Sequence, residues 1–256
     1  MSIPLRERNF GELLSLTFSL TVMHFGKLFL IVGLLGLPQL ALGFLPEFTE
    51  EESVAGFLMF FVALILMFLL VPIQQGACIL IVSGSFTDKK YSVGESFRVA
   101  FRKFGPFILL AFATSFIYMF GVFLFVIPLF IFMTWYYVSA AALLVEDLSA
   151  GGAMARSKEL SEGYRWRVLG FLLVTGLIAG ACTGVEKMLV AALGEGYLQS
   201  TLSYLFGLPV VVLLIVAPVV YYFNLRVVKE SFDVEALTSL VDAIAERQAP
   251  SGKDAL

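Results

Sequence analysis

The residues of this sequence with the greatest capacity for chemistry lie in one polar segment, between Glu146 and Arg167. Glu146 ends an apolar run, and Arg156 follows in a short helical pattern. A carboxylate and a guanidinium so placed can pair and fix the segment against the preceding helix. Glu146→Arg should then disrupt folding, and adding Arg156→Glu should restore it. Arg165, Trp166 and Arg167 combine basic and aromatic groups, as is typical of side chains at the headgroup level of a bilayer. A role confined to setting topology explains these charges equally well.

Patterns for catalysis and metal binding are absent from the sequence. The single histidine, His24, has no cluster of Cys, Asp or Glu beside it, and Cys78 and Cys182 lie in apolar segments without metal-ligand spacing. There is no HExxH, GxSxG, P-loop or glycine-rich nucleotide fingerprint. We therefore expect no catalytic residues, no metal, no cofactor and no enzymatic activity. Because no basic face is suited to a phosphate backbone, we also expect no nucleic-acid partner.

The composition excludes an ordinary soluble protein. Of the 256 residues, 59% are apolar and 14% are charged, whereas soluble domains are typically about 45–50% apolar and about 25% charged. A soluble core could not remove so much apolar surface from water, because a domain of this size keeps a large exposed fraction. We predict an all-α integral membrane protein, in which lipid surrounds the helices.

Six uncharged segments are long enough to cross a bilayer as helices. A crossing helix needs about 20 apolar residues, because each residue rises 1.5 Å through about 30 Å of hydrocarbon. The segment from residue 104 to residue 145 must hold two helices, and Gly121 and the Ile127-Pro128 pair offer places for the turn between them. The predicted spans cover residues 28–46, 56–83, 105–123, 127–145, 168–185 and 203–225.

Basic residues fall almost entirely on one side of these spans. Every Lys and Arg except Lys187 lies in the N-terminal arm, in the loops after spans two and four, or after span six. The loop after the first span carries four glutamates between Glu47 and Glu52 and no basic residue. Because Lys and Arg are retained on the cytoplasmic side, we predict a multi-pass protein of the cell (inner) membrane with both termini in the cytoplasm.

Polar and small residues within the spans indicate how the helices pack. Gln74 and Gln75 follow Pro72, and their amides can bond the carbonyl that a proline leaves free. We expect hydrogen bonds inside the bundle there, with a ligand-binding role as the alternative.

Gly176, Gly180 and Gly184 share one face of the fifth span, at a spacing that lets helix backbones approach closely in lipid. We favour packing within the same six-helix bundle. A homodimer face is the alternative, which leaves a homo-oligomer open.

A similar inner segment precedes the first, third and fifth spans, with a glycine, about a dozen residues of helical pattern and a second glycine. These segments cover residues 11–27, 94–106 and 151–164. In the second, Phe97, Phe101 and Phe104 form an apolar stripe beside Arg98 and Arg102, which is typical of a helix lying on headgroups. The fold would then comprise three units, each an interfacial helix plus a transmembrane hairpin. Ordinary amphipathic loops are the alternative interpretation.

The chain is predicted to divide into a six-helix membrane domain, residues 1–230, and a cytoplasmic tail, residues 231–256. Apolar residues from Leu237 to Ile244 recur at helical spacing, which predicts a short amphipathic helix. Ser231 or Asp233 is suited to cap its first turn.

The segment around Glu146 resembles a known family. An acidic residue at the end of a span, Ala-x-x-Arg-Ser-x-x-Leu over 153–160 and Gly-x-x-Trp-Arg over 163–167 are similar to the membrane domain associated with glycerophosphoryl diester phosphodiesterases. They are also similar to related bacterial six-span proteins of uncharacterised function. The resemblance implies a six-span architecture with both termini inside, and it implies no established chemistry.

The end of the last span carries the same resemblance. Residues 221–233, which include Arg226, are similar to the family's Tyr-Tyr-Asp-Leu-Arg, Lys-Glu and Phe-Asp pattern. Asn224 stands where an Asp is usual and Ser231 where a Gly is usual, so a role that needs that carboxylate does not carry over. Arg226 is a candidate structural or lipid-facing residue.

These observations predict a non-enzymatic membrane protein that organises lipid or supports a protein partner at the inner face. The expected partners are membrane lipids and a protein at the cytoplasmic face. The alternative function is a transporter or channel for a small or amphipathic solute, which would need a membrane-depth cavity lined by polar side chains.

Overall fold

The computed structural model describes residues 3–4, 6–48, 54–87, 90–124, 126–191 and 196–248. Within these ranges the chain is all-helical and contains no β-strand. The first six helices are α1 (Phe10–Met23), α2 (Phe25–Leu35), α3 (Leu37–Phe48), α4 (Val54–Ser83), α5 (Val93–Arg102) and α6 (Phe104–Phe123). The remaining five are α7 (Val126–Tyr136), α8 (Ser139–Val145), α9 (Ala150–Ser161), α10 (Arg165–Ala191) and α11 (Tyr197–Gln248).

Among the described residues, five helical segments are long and apolar enough to cross a membrane. They are Gly56–Ser83, Phe104–Phe123, Ile127–Val145, Arg165–Ala191 and Tyr197–Glu230. A sixth crossing is present only if α1 and α2, which are bent by 74° at His24, count as one span. Length and composition therefore support five or six spans and agree with a membrane protein.

The first predicted span, residues 28–46, is not one uninterrupted helix. It falls on α2 and α3, which are separated at Gly36. Pro38 has no N–H to bond the carbonyl of Leu34, so the helical ladder is interrupted there. The hydroxyl of Tyr204 in α11 donates to the carbonyl of Gly33 close to this break.

Each of the three predicted inner segments forms a helix whose start is capped. Asn9, Ser92 and Ser149 accept a hydrogen bond from the backbone N–H three residues later, at the first turns of α1, α5 and α9 respectively. Glu12 and Glu95 complete a capping box in the first two helices. The repeated cap explains why helices begin at these three points.

A break between two helices falls where the turn between spans three and four is predicted. Helix α6 ends at Phe123 and α7 begins at Val126, and the two helices pack against each other. A Cβ atom added to Gly121 would lie 2.8 Å from the Cα of Leu129, so the backbones meet where glycine has no side chain.

The last helix is longer than predicted. Helix α11 runs without interruption from Tyr197 to Gln248, so no separate helix starts at Ser231 or Asp233. No Gly or Pro occurs between Arg226 and Gln248 to end it. Residues 249–256 of the predicted tail lie outside the described residues.

Helix α11 is central, since it contacts seven other helices: α1, α2, α3, α4, α8, α9 and α10. Contacts around its inner half bring the N-terminal arm and the α4–α5 connection together. The backbone N–H of Arg8 donates to Asn224 at 3.0 Å, and Phe86 stacks on Phe223 with ring centroids 4.4 Å apart. The basic segments therefore meet at one end of the bundle, which we call the basic end.

Candidate functional site

A groove of about 700 Å³ opens at the basic end between α4, α5 and the end of α8. Apolar side chains of those helices form one part of its lining. The polar part, which defines what we call the basic groove, consists of Lys90, Tyr91, Glu95, Arg98, Arg102, Lys103 and Asp147.

Helix α5 presents the two arginines of this groove. Its Ser96 and Ala100 are buried, and Ala100 packs so closely on Gly76 of α4 that an added Cβ there would lie 3.2 Å away. Arg98 and Arg102, one turn apart, are left exposed on another face. Pro106 has no N–H for the carbonyl of Arg102, so the helix ends at that residue.

Asp147 closes the groove from the other side. The ammonium group of Lys103 lies 2.5 Å from the Asp147 carboxylate and also donates to the backbone carbonyl of Asp147. Asp147 has φ of +57°, the left-handed conformation that commonly follows a helix end. The N–H of Leu148 bonds the carbonyl of Leu143, which completes this C-terminal motif and aims the carboxylate at Lys103.

The basic groove has a surplus of positive charge. The carboxylate of Asp147 is held by Lys103, and that of Glu95 accepts the Ser92 N–H and hydroxyl at 2.9 Å. These hydrogen bonds from Ser92 hold the pKa of Glu95 below its ordinary value. Within the described ranges, Arg98 and Arg102 form no ion pair with a carboxylate. The groove can therefore accept an anion with an apolar attachment.

A second polar cluster lies beside the groove and contains the expected pair between Glu146 and Arg156. The Arg156 Nε lies 3.0 Å from both carboxylate oxygens of Glu146. The Tyr222 hydroxyl donates to the same carboxylate at 2.7 Å. The pair thus joins the end of α8 to α9 and to the central helix α11.

Glu230 extends this cluster along α11. Its carboxylate accepts hydrogen bonds from Arg156 Nη2 at 2.6 Å and from Arg226 Nε at 2.8 Å. Burial of Arg156 opposes its charged form, but the hydrogen bond and charge of Glu146, together with Glu159, outweigh this and raise its guanidinium pKa. Arg226 is consequently a partner in this cluster, with its Nε 4.0 Å from Glu146.

Tyr222 and Glu230 are not among the residues that the sequence predicts for this site. Their positions carry a usable signal, because Tyr222, Arg226 and Glu230 recur every four residues and so share one helical face. The spacing does not show which helix faces these side chains. In the structure, α9 packs against them.

The three residues expected to form an interfacial anchor separate in the structure. Trp166 is 85% exposed. The Arg167 guanidinium lies 5.4 Å from the ring centre of Tyr164 and 3.9 Å from a Glu7 oxygen. Arg165 instead turns inward to the ring of Trp135. Only Trp166 and Arg167 are therefore placed as an exposed pair.

Gln74 and Gln75 do not make the expected hydrogen bonds. Gln74 is buried and Gln75 lines a cleft of about 450 Å³ between α4, α6 and α8, yet neither amide is bonded to another described residue. The carbonyl freed by Pro72 is thus not satisfied by these side chains. The expectation of bonding inside the bundle is wrong for both residues.

The preferred interpretation of the glycine stripe is also wrong. A Cβ atom added to Gly176, Gly180 or Gly184 would meet no described atom within 4 Å, and all three are exposed. These glycines therefore face away from the helices described here. The homodimer alternative stays a prediction.

No group of three or more His, Cys, Asp or Glu side chains in the described part of the chain is placed to hold a metal ion.

Comparisons with protein-family models, with curated proteins and with solved structures find no match to this chain. The resemblance to the membrane domain associated with glycerophosphoryl diester phosphodiesterases stays a prediction.

Proposed function

We propose that this chain is a six-span protein of the cell membrane that binds anionic phospholipid at its cytoplasmic face through the basic groove. The membrane location is supported by large apolar side chains that face outward along the long helices. Phe57, Phe112 and Leu177, for example, are 60% or more exposed. Such a surface is stable in lipid and not in water.

The charge pattern supports the orientation. The basic end gathers the N-terminal arm, the α4–α5 connection and the α8–α9 elbow, and the positive-inside rule assigns such an end to the cytoplasm. Both termini would then be cytoplasmic, and Lys187 would be external.

The observation that carries the lipid proposal is the unpaired charge of Arg98 and Arg102 in a groove with an apolar wall. A phospholipid headgroup brings an anion attached to apolar chains, and this matches both parts of the lining. Each basic residue near an anionic surface contributes about 1 kcal/mol to binding. Loss of both arginines should therefore weaken retention of anionic lipid about thirtyfold.

Lipid retention in native mass spectrometry tests this proposal. Arg98→Gln/Arg102→Gln should lose bound phosphatidylglycerol, whereas the matched double variant Lys27→Gln/Lys187→Gln removes two exposed charges outside the groove and should retain it. Equal retention by the two variants would reject lipid binding in the groove. Selective loss of a co-purifying protein would instead favour the interpretation of a partner-supporting protein.

Transport of a small or amphipathic solute is the second candidate, because the cleft at Gln75 also exposes Thr114, Ser115 and Ser139. The hydroxyls of Thr114 and Ser139 already donate to the backbone carbonyls of Leu110 and Tyr136 respectively. Gln75 is therefore the group best placed for a solute. Solute flux into proteoliposomes that falls with Gln75→Leu, and not with Gln39→Leu, would support this candidate.

A further inference from the structure

The indole ring of Trp135 in α7 has two cations against it. The Lys158 Nζ lies 4.6 Å and the Arg165 Cζ lies 5.2 Å from the ring centre. The Ser157 hydroxyl donates to the Trp135 carbonyl at 2.8 Å, which holds α9 against α7 at this point. We call Trp135, Lys158 and Arg165 the indole cluster.

The indole cluster holds donors without acceptors. The Nε1 of Trp135 and the Nε of Arg165 are buried and have no hydrogen-bond partner in the described part of the chain. Neither Lys158 nor Arg165 has a carboxylate at ion-pair distance among the described residues. Buried donors without partners are rare in proteins and indicate a water or an ion that completes the site.

The carboxylates close to the indole cluster form ion pairs with a different cation. Arg156, two residues before Lys158 on α9, is within 3.4 Å of Glu146, Glu159 and Glu230. Three acids thus neutralise Arg156, whereas Lys158, the next cation of α9, has no acid at ion-pair distance among the residues that the structure describes. The positive charge of Lys158 and Arg165 beside Trp135 is therefore not balanced by these nearby carboxylates.

We propose that the indole cluster binds a phosphate group. Trp, Lys and Arg side chains are donors only, so a complementary ligand must supply acceptors, and a phosphate supplies several together with negative charge. Its oxygens would accept from Arg165 and from the Trp135 N–H once the flexible Lys158 side chain turns aside. The phosphate belongs to a phospholipid headgroup or is free in the cytoplasm.

This proposal rests on the proposed membrane location but not on lipid binding in the basic groove. Trp166, the only other tryptophan, is exposed. In Trp166→Phe protein the fluorescence of Trp135 therefore reports on the indole cluster alone.

Two titrations identify the source of the phosphate. The Trp166→Phe protein is placed in phosphatidylcholine nanodiscs and titrated with inorganic phosphate, and separately in nanodiscs of increasing phosphatidylglycerol content. A saturable change in Trp135 emission in the first titration indicates free phosphate, and in the second a lipid headgroup. No change in either titration overturns the proposal.

Variants connect the signal to the cluster. Arg165→Gln should raise the half-saturating concentration about tenfold or more, because it removes a charged donor to the phosphate. Lys158→Gln should also raise it, because it removes positive charge beside the site. Arg167→Gln removes a neighbouring cation outside the cluster and should leave it unchanged. Arg165→Lys keeps the charge and loses the Nε donor, so it should bind with intermediate strength if Arg165→Gln fails to fold. An unaltered titration in the Lys158 and Arg165 variants overturns the proposal.

The same signal separates this site from the basic groove. Arg98→Gln/Arg102→Gln should leave the Trp135 titration intact whether or not it loses phosphatidylglycerol. A loss of both responses in this variant would show that Trp135 reports groove lipid, and the separate phosphate site would be rejected.

Discussion

Arg156 is the residue on which the ion pairs of the basic end converge. It contacts Glu146, Glu159 and Glu230, which come from the end of α8, from α9 and from α11. The expected outcome of the charge swap between Glu146 and Arg156 therefore differs from that for an isolated pair. A glutamate introduced at position 156 would meet the arginine introduced at position 146 but would also face Glu159 and Glu230. We now expect Arg156→Glu to restore Glu146→Arg only in part.

Arg156→Gln should lower the free energy of unfolding by about 2–4 kcal/mol, because it removes the cation that the partly buried carboxylates of Glu146 and Glu230 share and leaves them only Tyr222 and Arg226. Tyr222→Phe should cost about 1–2 kcal/mol, since it removes one hydrogen bond to a charged acceptor. Unfolding in detergent followed by circular dichroism measures both. The control is Arg6→Gln, whose pair with Glu12 is 59% and 36% exposed and should contribute much less, because solvent screens an exposed ion pair. Equal effects of Arg156→Gln and Arg6→Gln would contradict a holding role.

At the scale of helices, close approach depends on where glycine meets a neighbouring backbone. Gly121 meets Leu129 across the α6–α7 turn, whereas Gly176 meets no described atom. The same residue type thus has opposite roles in two apolar helices, and the spacing of glycines alone does not distinguish them.

Gly121→Ala should destabilise the protein by about 1–3 kcal/mol, because the new methyl group would press on backbone that cannot turn aside. Gly176→Ala provides the matched control. It should be neutral or stabilising by up to about 1 kcal/mol, since alanine is the better helix former. Thermal unfolding of the two variants side by side measures the difference. A Gly176→Ala variant as unstable as Gly121→Ala would indicate that the fifth span packs against a second copy of the chain.

At the scale of the whole molecule, the proposed orientation places the basic end in the cytoplasm. The opposite end carries the α6–α7 turn. It also carries Lys187, which lies near the C-terminal end of α10. These two features should be reachable from outside the cell, whereas Arg98 in the basic groove should not.

Single cysteines test this orientation in a chain whose native Cys78 and Cys182 are replaced by serine. Lys187→Cys and Leu124→Cys should react with a membrane-impermeant maleimide on intact cells, because both lie at the proposed outer end. Arg98→Cys should react only after the membrane is opened. Labelling of Arg98→Cys alone in intact cells would reverse the topology, and no labelling of Leu124→Cys would place the α6–α7 turn inside the bilayer.

The long apolar helices and the α6–α7 turn were readable from the sequence, because uncharged length and a glycine or proline are local properties. The break at Gly36 was not predicted, although Pro38 indicates it. Hydropathy measures how apolar a segment is, and it does not register the backbone N–H that a proline lacks. The continuation of α11 past residue 230 was not predicted, because the absence of a helix-breaking residue was overlooked. A change from apolar to polar composition does not end a helix that lacks a breaker.

For the site, the sequence by itself determined the chemistry available at the basic end: the three inner segments of helical pattern, the surplus of Lys and Arg, and the pair of Glu146 with Arg156. Only the tertiary structure decided which charges are neutralised. It placed Glu230 against Arg156 and Tyr222 against Glu146, and it left Arg98, Lys158 and Arg165 without a carboxylate at ion-pair distance among the described residues. The physical reason is that a helical repeat fixes which side chains share a face, whereas the neighbour of that face depends on how all the helices pack together.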